Sequence, residues 1–250
     1  MNIKIHPFSL GAALVAILMA SALNIAWADS DTLSLSHTGP AQESELFAQQ
    51  QNLLMQGEQS SLLSIQRKWA QAQYRSKDDE QEKRFEGLIK EIDALANANP
   101  NKAEPKIWQG IIRSTYAGAK GGLSALSLVK SARGYLEAAL KINDKALNGS
   151  AYTSLASLYF KVPGWPIGFG DDDRAEELFE KALSINPSGI DPNFFYAEYL
   201  VEEGEYEEAY VVLAKALDAP VRKNRLIADE ERRKEISFLL EQVVNKMIDG

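Results

Sequence analysis

A three-residue apolar pattern recurs four times along this chain and limits the fold more than any other feature. Side chains at i, i+4 and i+7, followed by a helix stop, occur at Leu88, Ile92 and Leu95, at Ala132, Leu136 and Ala139, at Ala175, Phe179 and Ala182, and at Ala209, Leu213 and Ala216. That spacing places all three side chains on one face of an α-helix. A stop stands five places after the third member at Pro100, Asp144 and Pro187, and four places after it at Pro220. Successive copies are 44, 43 and 34 residues apart. Alanine at the outer positions of the last three copies allows a neighbouring helix to approach closely.

A second amphipathic helix precedes each copy after the first. It carries Ile107, Trp108, Ile111, Ile112 and Tyr116 before the second, and Tyr152, Leu155, Ala156, Leu158 and Tyr159 before the third. Before the fourth it carries Phe195, Tyr196, Ala197, Tyr199 and Leu200, with Asp191 placed to cap it and Pro192 at its first position. The unit is therefore helix, turn, helix, stop. No segment alternates convincingly with the period of a strand. Upstream, Glu43 to Tyr74 is Gln-rich with an interrupted stripe of Leu46, Leu53, Leu54, Leu62, Ile65 and Trp69, and Gly57 to Ser61 can break it into two helices. Downstream, Asp229 to Ile248 has Ile236, Leu239, Leu240, Val243 and Met247 on one side, as the end cap of a solenoid requires.

Tyr196, Ala197, Leu200, Gly204, Tyr206, Ala209, Leu213 and Ala216 resemble a tetratricopeptide (TPR) repeat, and the 34-residue interval is that family's period. Ala175, Phe179, Ala182 and Pro187 resemble the second half of another. Four further segments, at 107–110, 119–123, 162–172 and 189–196, resemble exported bacterial TPR proteins grouped with the TatT component of TRAP transporters. The resemblance covers roughly Glu104 to Asn245. It implies an α-helical protein outside the inner membrane, partnered with a periplasmic solute-binding protein and able to oligomerise around a hydrophobic channel. TatT proteins carry a lipidated cysteine, which this chain lacks. The expected fold is thus all-α: a TPR-like helical-hairpin solenoid over 104–250, an N-terminal helical region over 43–103 and a C-terminal capping helix.

The N-terminus reads as a cleaved signal peptide over 1–28. Lys4 supplies the positive start, Leu10 to Met19 the apolar run, and Ala26 and Ala28 the small residues at the cleavage site. A flexible leader rich in Ser, Thr, Asp, Gly and Pro follows over 29–42. The expected location is the periplasm, and with no cysteine to lipidate no lipid anchor is expected.

Composition narrows the chemistry. Zero cysteines among 250 residues exclude disulfides, thiolate nucleophiles and Cys-ligated metal centres. Only His6 and His37 could serve a histidine-based triad or metal site, and His6 lies in the signal segment. A net charge of -8 disfavours nucleic acid and anionic lipid. The nearest thing to a basic patch is Arg222, Lys223 and Arg225, and Asp229, Glu230 and Glu231 follow at once. No enzyme activity, cofactor or metal is expected.

The most unusual segment is Val162 to Gly170, which holds two prolines, three glycines, Trp165 and Phe169. Pro and Gly stop the helix and shape a loop. Its aromatics can plug the third helix pair, with Trp165 stacked near Tyr159 and Phe179, or can form the lip of a groove for a peptide or an apolar ligand. Packing favours the plug. The candidate ligand- or partner-binding side chains are Trp165, Phe169, Tyr152, Tyr159, Phe195 and Tyr199. Asp171 to Asp173 lack the spacing of a calcium loop, and Asp172 or Asp173 with Glu176 fits a helix cap. Lys120, Gly121 and Gly122 fit an interhelical turn better than a phosphate loop. Glu202 to Glu208, and Arg232, Arg233 and Lys234, read as solvated faces. The expected function is a periplasmic protein-interaction scaffold. The alternative is an auxiliary part of a TRAP-type transporter, binding a small organic or hydrophobic ligand or its solute-binding protein.

The export expectation has a direct check. Protein isolated from its source should begin at Asp29, and N-terminal sequencing that finds Met1 retained on a cytosolic chain overturns the address.

Overall fold

The computed structural model describes residues 40–249. The expected signal segment over 1–28 and the expected leader up to residue 39 lie outside the described residues, and the last residues of that leader, 40–42, open the first helix. Two compact units divide the chain between Gln49 and Gln50. Of the first, the described part is the opening of a helix on which Leu46 and Phe47 are exposed. The second unit, from Gln50 onward, holds the stacked helices.

Nine α-helices run through the described residues, and no strand is found among them. They are α1 (Pro40–Arg75), α2 (Asp78–Ala98), α3 (Ala103–Lys120), α4 (Gly122–Ile142), α5 (Ser150–Lys161), α6 (Asp172–Ile185), α7 (Ile190–Glu203), α8 (Tyr206–Leu217) and α9 (Leu226–Asp249). A short 3-10 turn, Ala146–Gly149, joins α4 to α5. Helices α3 and α4, α5 and α6, and α7 and α8 pack as hairpins. The first helix of each hairpin also touches the first helix of the next, and α9 closes the stack against α7 and α8. This is the expected all-α, TPR-like helical solenoid.

The repeat register accounts for the core. Ala132, Leu136, Ala139, Ala175, Phe179, Ala182, Ala209, Leu213 and Ala216 are all at most 1% exposed. Leu88 and Ile92 are buried too, whereas Leu95 is half-buried and the neighbouring Ala96 is buried. Helices α3 and α4 approach closely, and a Cβ on Gly110 would lie 2.5 Å from Leu136 Cγ. Each stop falls just past a helix end, as Pro187 does after Ile185.

Three local expectations need correction. Gly57 to Ser61 do not divide α1, which is continuous to Arg75. Gly57 meets nothing within 4 Å, so the helix bears only glycine's intrinsic cost of about 1 kcal/mol, and the Ser61 hydroxyl donates to the Gly57 carbonyl at 2.9 Å. The cap of α6 is Asp171, not Asp172 or Asp173; its carboxylate accepts from the Arg174 N–H at 3.0 Å, and the next two acids sit in the first turn. The cap of α7 is Gly189 rather than Asp191, so Pro192 falls inside the first turn. There the Asn193 amide fixes the entry by donating to the Pro187 and Gly189 carbonyls at 3.0 and 2.8 Å.

The N-terminal helices build a second cluster, in which Leu62, Ile65, Trp69, Phe85, Leu88, Ile92, Trp108 and Ile112 bury one another together with Ala228 of α9. The last helix therefore reaches the first, and Arg75 pairs with Glu231 at 2.6 Å across that contact.

If the register is right, Ala175→Leu and Ala209→Leu each overpack a fully closed contact and lose about 1–3 kcal/mol. Urea unfolding checks this, and two unchanged midpoints would reject the register.

Candidate functional site

A cavity of about 1090 Å³ lies between the first helices of the hairpins, the end of α1 and α9. It is larger than most small-molecule sites, which occupy about 300–1,000 Å³. Its aliphatic wall includes Ile111 from α3, Leu126 and Val129 from α4, and Leu158 from α5. Its aromatic wall includes Trp69, Tyr74, Phe194 and Phe195.

Four cations, Lys161, Arg222, Arg225 and Arg232, also face this space, as do the acids Asp191, Glu198 and Glu235. Asp191, in the first turn of α7, is the hub. Arg222 Nη1 reaches Asp191 Oδ2 at 2.7 Å, and Arg232 Nε reaches Oδ1 at 3.3 Å. Arg222 is held further by Asp229, through Nε at 2.8 Å, Nη2 at 2.5 Å and its own backbone N–H at 2.7 Å. Arg232 also pairs with Glu235 at 2.8 Å, and its guanidinium lies 4.3 Å from the Phe194 ring centre and 4.5 Å from that of Phe195. Lys161 pairs with Glu198 at 2.8 Å.

Burial by itself would raise the Asp191 carboxyl, but Arg222, Arg232 and Arg225 outweigh it and hold Asp191 well below the usual carboxylate range. Burial works against the charge on Arg222 as well, and Asp191 and Asp229 reverse that and push it up. Glu235 shifts the other way, raised chiefly by burial despite Arg232.

Of the six side chains singled out in the sequence, Phe195 alone lines this cavity. Tyr199 is core, stacked on Tyr196 at 6.2 Å and tilted against Phe179 at 5.9 Å. Tyr152 is half-buried, with its hydroxyl 3.3 Å from Asp144 Oδ2. Tyr159 and Phe169 meet edge to face at 5.5 Å, and Arg133 lies 4.6 Å from the Phe169 ring centre.

Trp165 is not a plug. It is 90% exposed, and Ile167 beside it is 64% exposed. The packing role expected of Trp165 beside Tyr159, on the α5–α6 hairpin, belongs to Phe169. The loop is nevertheless well fixed, because Asp171 N–H donates to Tyr159 O and Gly170 N–H to Pro163 O, both at 3.0 Å. A Cβ on Gly168 would come within 2.2 Å of Pro163 O, so only glycine lets the two strands of the loop close on each other.

The charged centre is hidden in the sequence for a related reason. Asp191-Pro192 has the form of a helix cap, and Arg232 stands in a run of charges. Of Arg232, Arg233 and Lys234, only Lys234 is exposed as a solvated face would be. Lys234 pairs with Glu230 and Glu231 at 3.0 and 2.9 Å, while Arg233 donates to the Leu217 and Ala219 carbonyls at the end of α8. Arg232 is buried. The signal in hindsight is the excess of arginine on the connector and first turns of α9, opposite Asp191, the acid in the first turn of α7.

Because the folded protein favours ionised Asp191, its contribution is complete above the ordinary carboxylate pKa of about 3.9 and is lost as pH falls through the lower folded value. Asp191→Asn should cost about 1–3 kcal/mol between pH 5 and 8 by removing one of the two carboxylates that Arg222 and Arg232 each face. The gap between wild type and variant should narrow below about pH 4. Urea titrations at several pH values check this, and a gap that stays constant down to pH 2.5 rejects the clamp.

Residues 167–222 match the family model described as tetratricopeptide repeat, a stretch that begins in the Trp165 loop and ends at the arginine connector. No curated protein matches the chain. The match and the stacked hairpins around it agree: residues 167–222 are a tetratricopeptide-repeat segment within an all-α, TPR-like helical solenoid.

Proposed function

We propose that this protein is a non-enzymatic scaffold of the periplasm that holds a protein or peptide partner. Tetratricopeptide repeats generally mediate protein–protein interactions, and stacked helical hairpins present extended surfaces suited to them. The observation that carries the reading is Trp165, a large aromatic 90% exposed on a loop fixed by backbone hydrogen bonds. A rigid, exposed aromatic anchor contributes binding area at little cost in ordering. The reading of residues 1–28 as a signal segment supports the location.

The cavity favours a second reading, an accessory of a TRAP-type transporter that takes a small ligand between the repeats. Its volume and mixed apolar and charged wall support that reading.

The scaffold reading is tested by placing a photo-crosslinking residue at position 165 and identifying what it captures in periplasmic extract. A discrete partner should be captured, and Trp165→Ala with Ile167→Ala should cut its retention at least tenfold while changing stability by less than about 0.5 kcal/mol. Undiminished retention by the double variant overturns the role of the loop.

A further inference from the structure

The loop after α5 turns two apolar side chains to solvent: Trp165 is 90% exposed and Ile167 64%. The Gly170–Pro163 and Asp171–Tyr159 backbone bonds fix the loop, so both are displayed in one place. The corner between α7 and α8 lies alongside. Phe160, near the end of α5, meets Tyr199 of α7 edge to face at 5.6 Å, and Lys161 pairs with Glu198 at 2.8 Å. Six exposed acids gather around the stacked Tyr196 and Tyr199: Asp172, Asp173, Glu176 and Glu180 of α6, with Glu203 and Glu208 at that corner. Both phenols are pushed up to about 12, first by burial and then by these carboxylates. None of the six makes an ion pair among the described residues. The basic residues at the two ends of the loop are already taken, Lys161 by Glu198 and Arg174 by Glu177 at 2.5 Å.

We propose that this edge docks a basic, partly apolar segment of another protein, with an apolar side chain seated on Trp165 and Ile167 and lysines or arginines over the acidic corner. This rests on the scaffold reading and deepens it by naming the partner's chemistry. The exposed aromatic marks the docking point, and charge complementarity names the occupant. Six like charges held together repel one another; a cationic segment relieves that repulsion and is steered toward it. The indole face adds to the attraction, since it favours a guanidinium or ammonium group. A neutral apolar segment would leave the carboxylates unanswered. Nucleic acid and anionic lipid carry the corner's own sign and are repelled.

The test uses three labelled peptides on the full chain, followed by fluorescence anisotropy. They share the same leucines and carry lysine, glutamine or glutamate between them. The lysine peptide should bind at least tenfold more tightly than the glutamine peptide, and the glutamate peptide least. Trp165→Ala should weaken the lysine peptide at least fivefold, and so should Asp173→Asn with Glu203→Gln. Asp79→Asn with Glu104→Gln removes the same charge from α2 and α3 and should leave binding within twofold of wild type. The wild-type comparison stands even if a variant fails to fold. Equal losses in the two double variants would assign binding to overall acidity and overturn the docking edge. Equal binding of the lysine and glutamine peptides overturns the charge requirement. No binding of any peptide overturns this inference, whereas the scaffold reading stands or falls separately on capture at position 165.

Discussion

The carboxylate of Asp191, held between Arg222 and Arg232, is the interaction on which the C-terminal half of the structure depends. It joins the first turn of α7 to the connector before α9 and to α9 itself. Helix α9 has no repeat partner, and its apolar side could meet α7 and α8 in more than one rotation. Directional bonds from two guanidinium groups select one, and the Asp229 bonds that shape the connector reinforce it. Apolar packing alone is non-directional and would leave this choice degenerate. The same rotation sets Ala228 against the Trp69 and Trp108 cluster and brings Glu231 to Arg75.

The cavity is a consequence of how the hairpins stack. Small residues on the second helices let α4, α6 and α8 press closely on their partners, and the alanines of the repeat are fully enclosed. The inner row α3, α5 and α7 curves, and the N-terminal helices and α9 meet across its ends. Enclosure lowers the effective dielectric around the charged groups and makes each unpaired charge more costly than on an open surface. For this reason Lys161, Arg222 and Arg232 are each paired with acids.

The loop after α5 shows how a single segment divides its aromatics between two tasks. Phe169 packs on Tyr159 and anchors the loop to its own hairpin. Trp165, four residues earlier at the turn, projects away from the protein. Glycines at 168 and 170 allow the backbone to close behind it. Composition could establish that this loop was shaped, but both aromatics were equally suited to burial, and the direction of the turn decided between them.

Much of the fold was legible in the chain because helix periodicity, caps and stops act over a few residues. The i, i+4, i+7 triples with their prolines located the core helices, and three alanine-flanked copies named the contacts that tertiary structure encloses. The Lys120 to Gly122 turn and the solvated Glu202 to Glu208 corner follow from equally local chemistry. The site was not legible, because its parts are distant in sequence and locally ambiguous. Asp191 next to a proline fits a cap, Arg232 within a charged run fits a surface, and Phe195 and Tyr199 share one helix yet one faces the cavity and the other the core. Local sequence determined which residues are helical and which face of each helix is apolar. Only the closure of α9 against α7 and the N-terminal helices decided which charges meet, since that choice rests on distances between segments that periodicity does not encode.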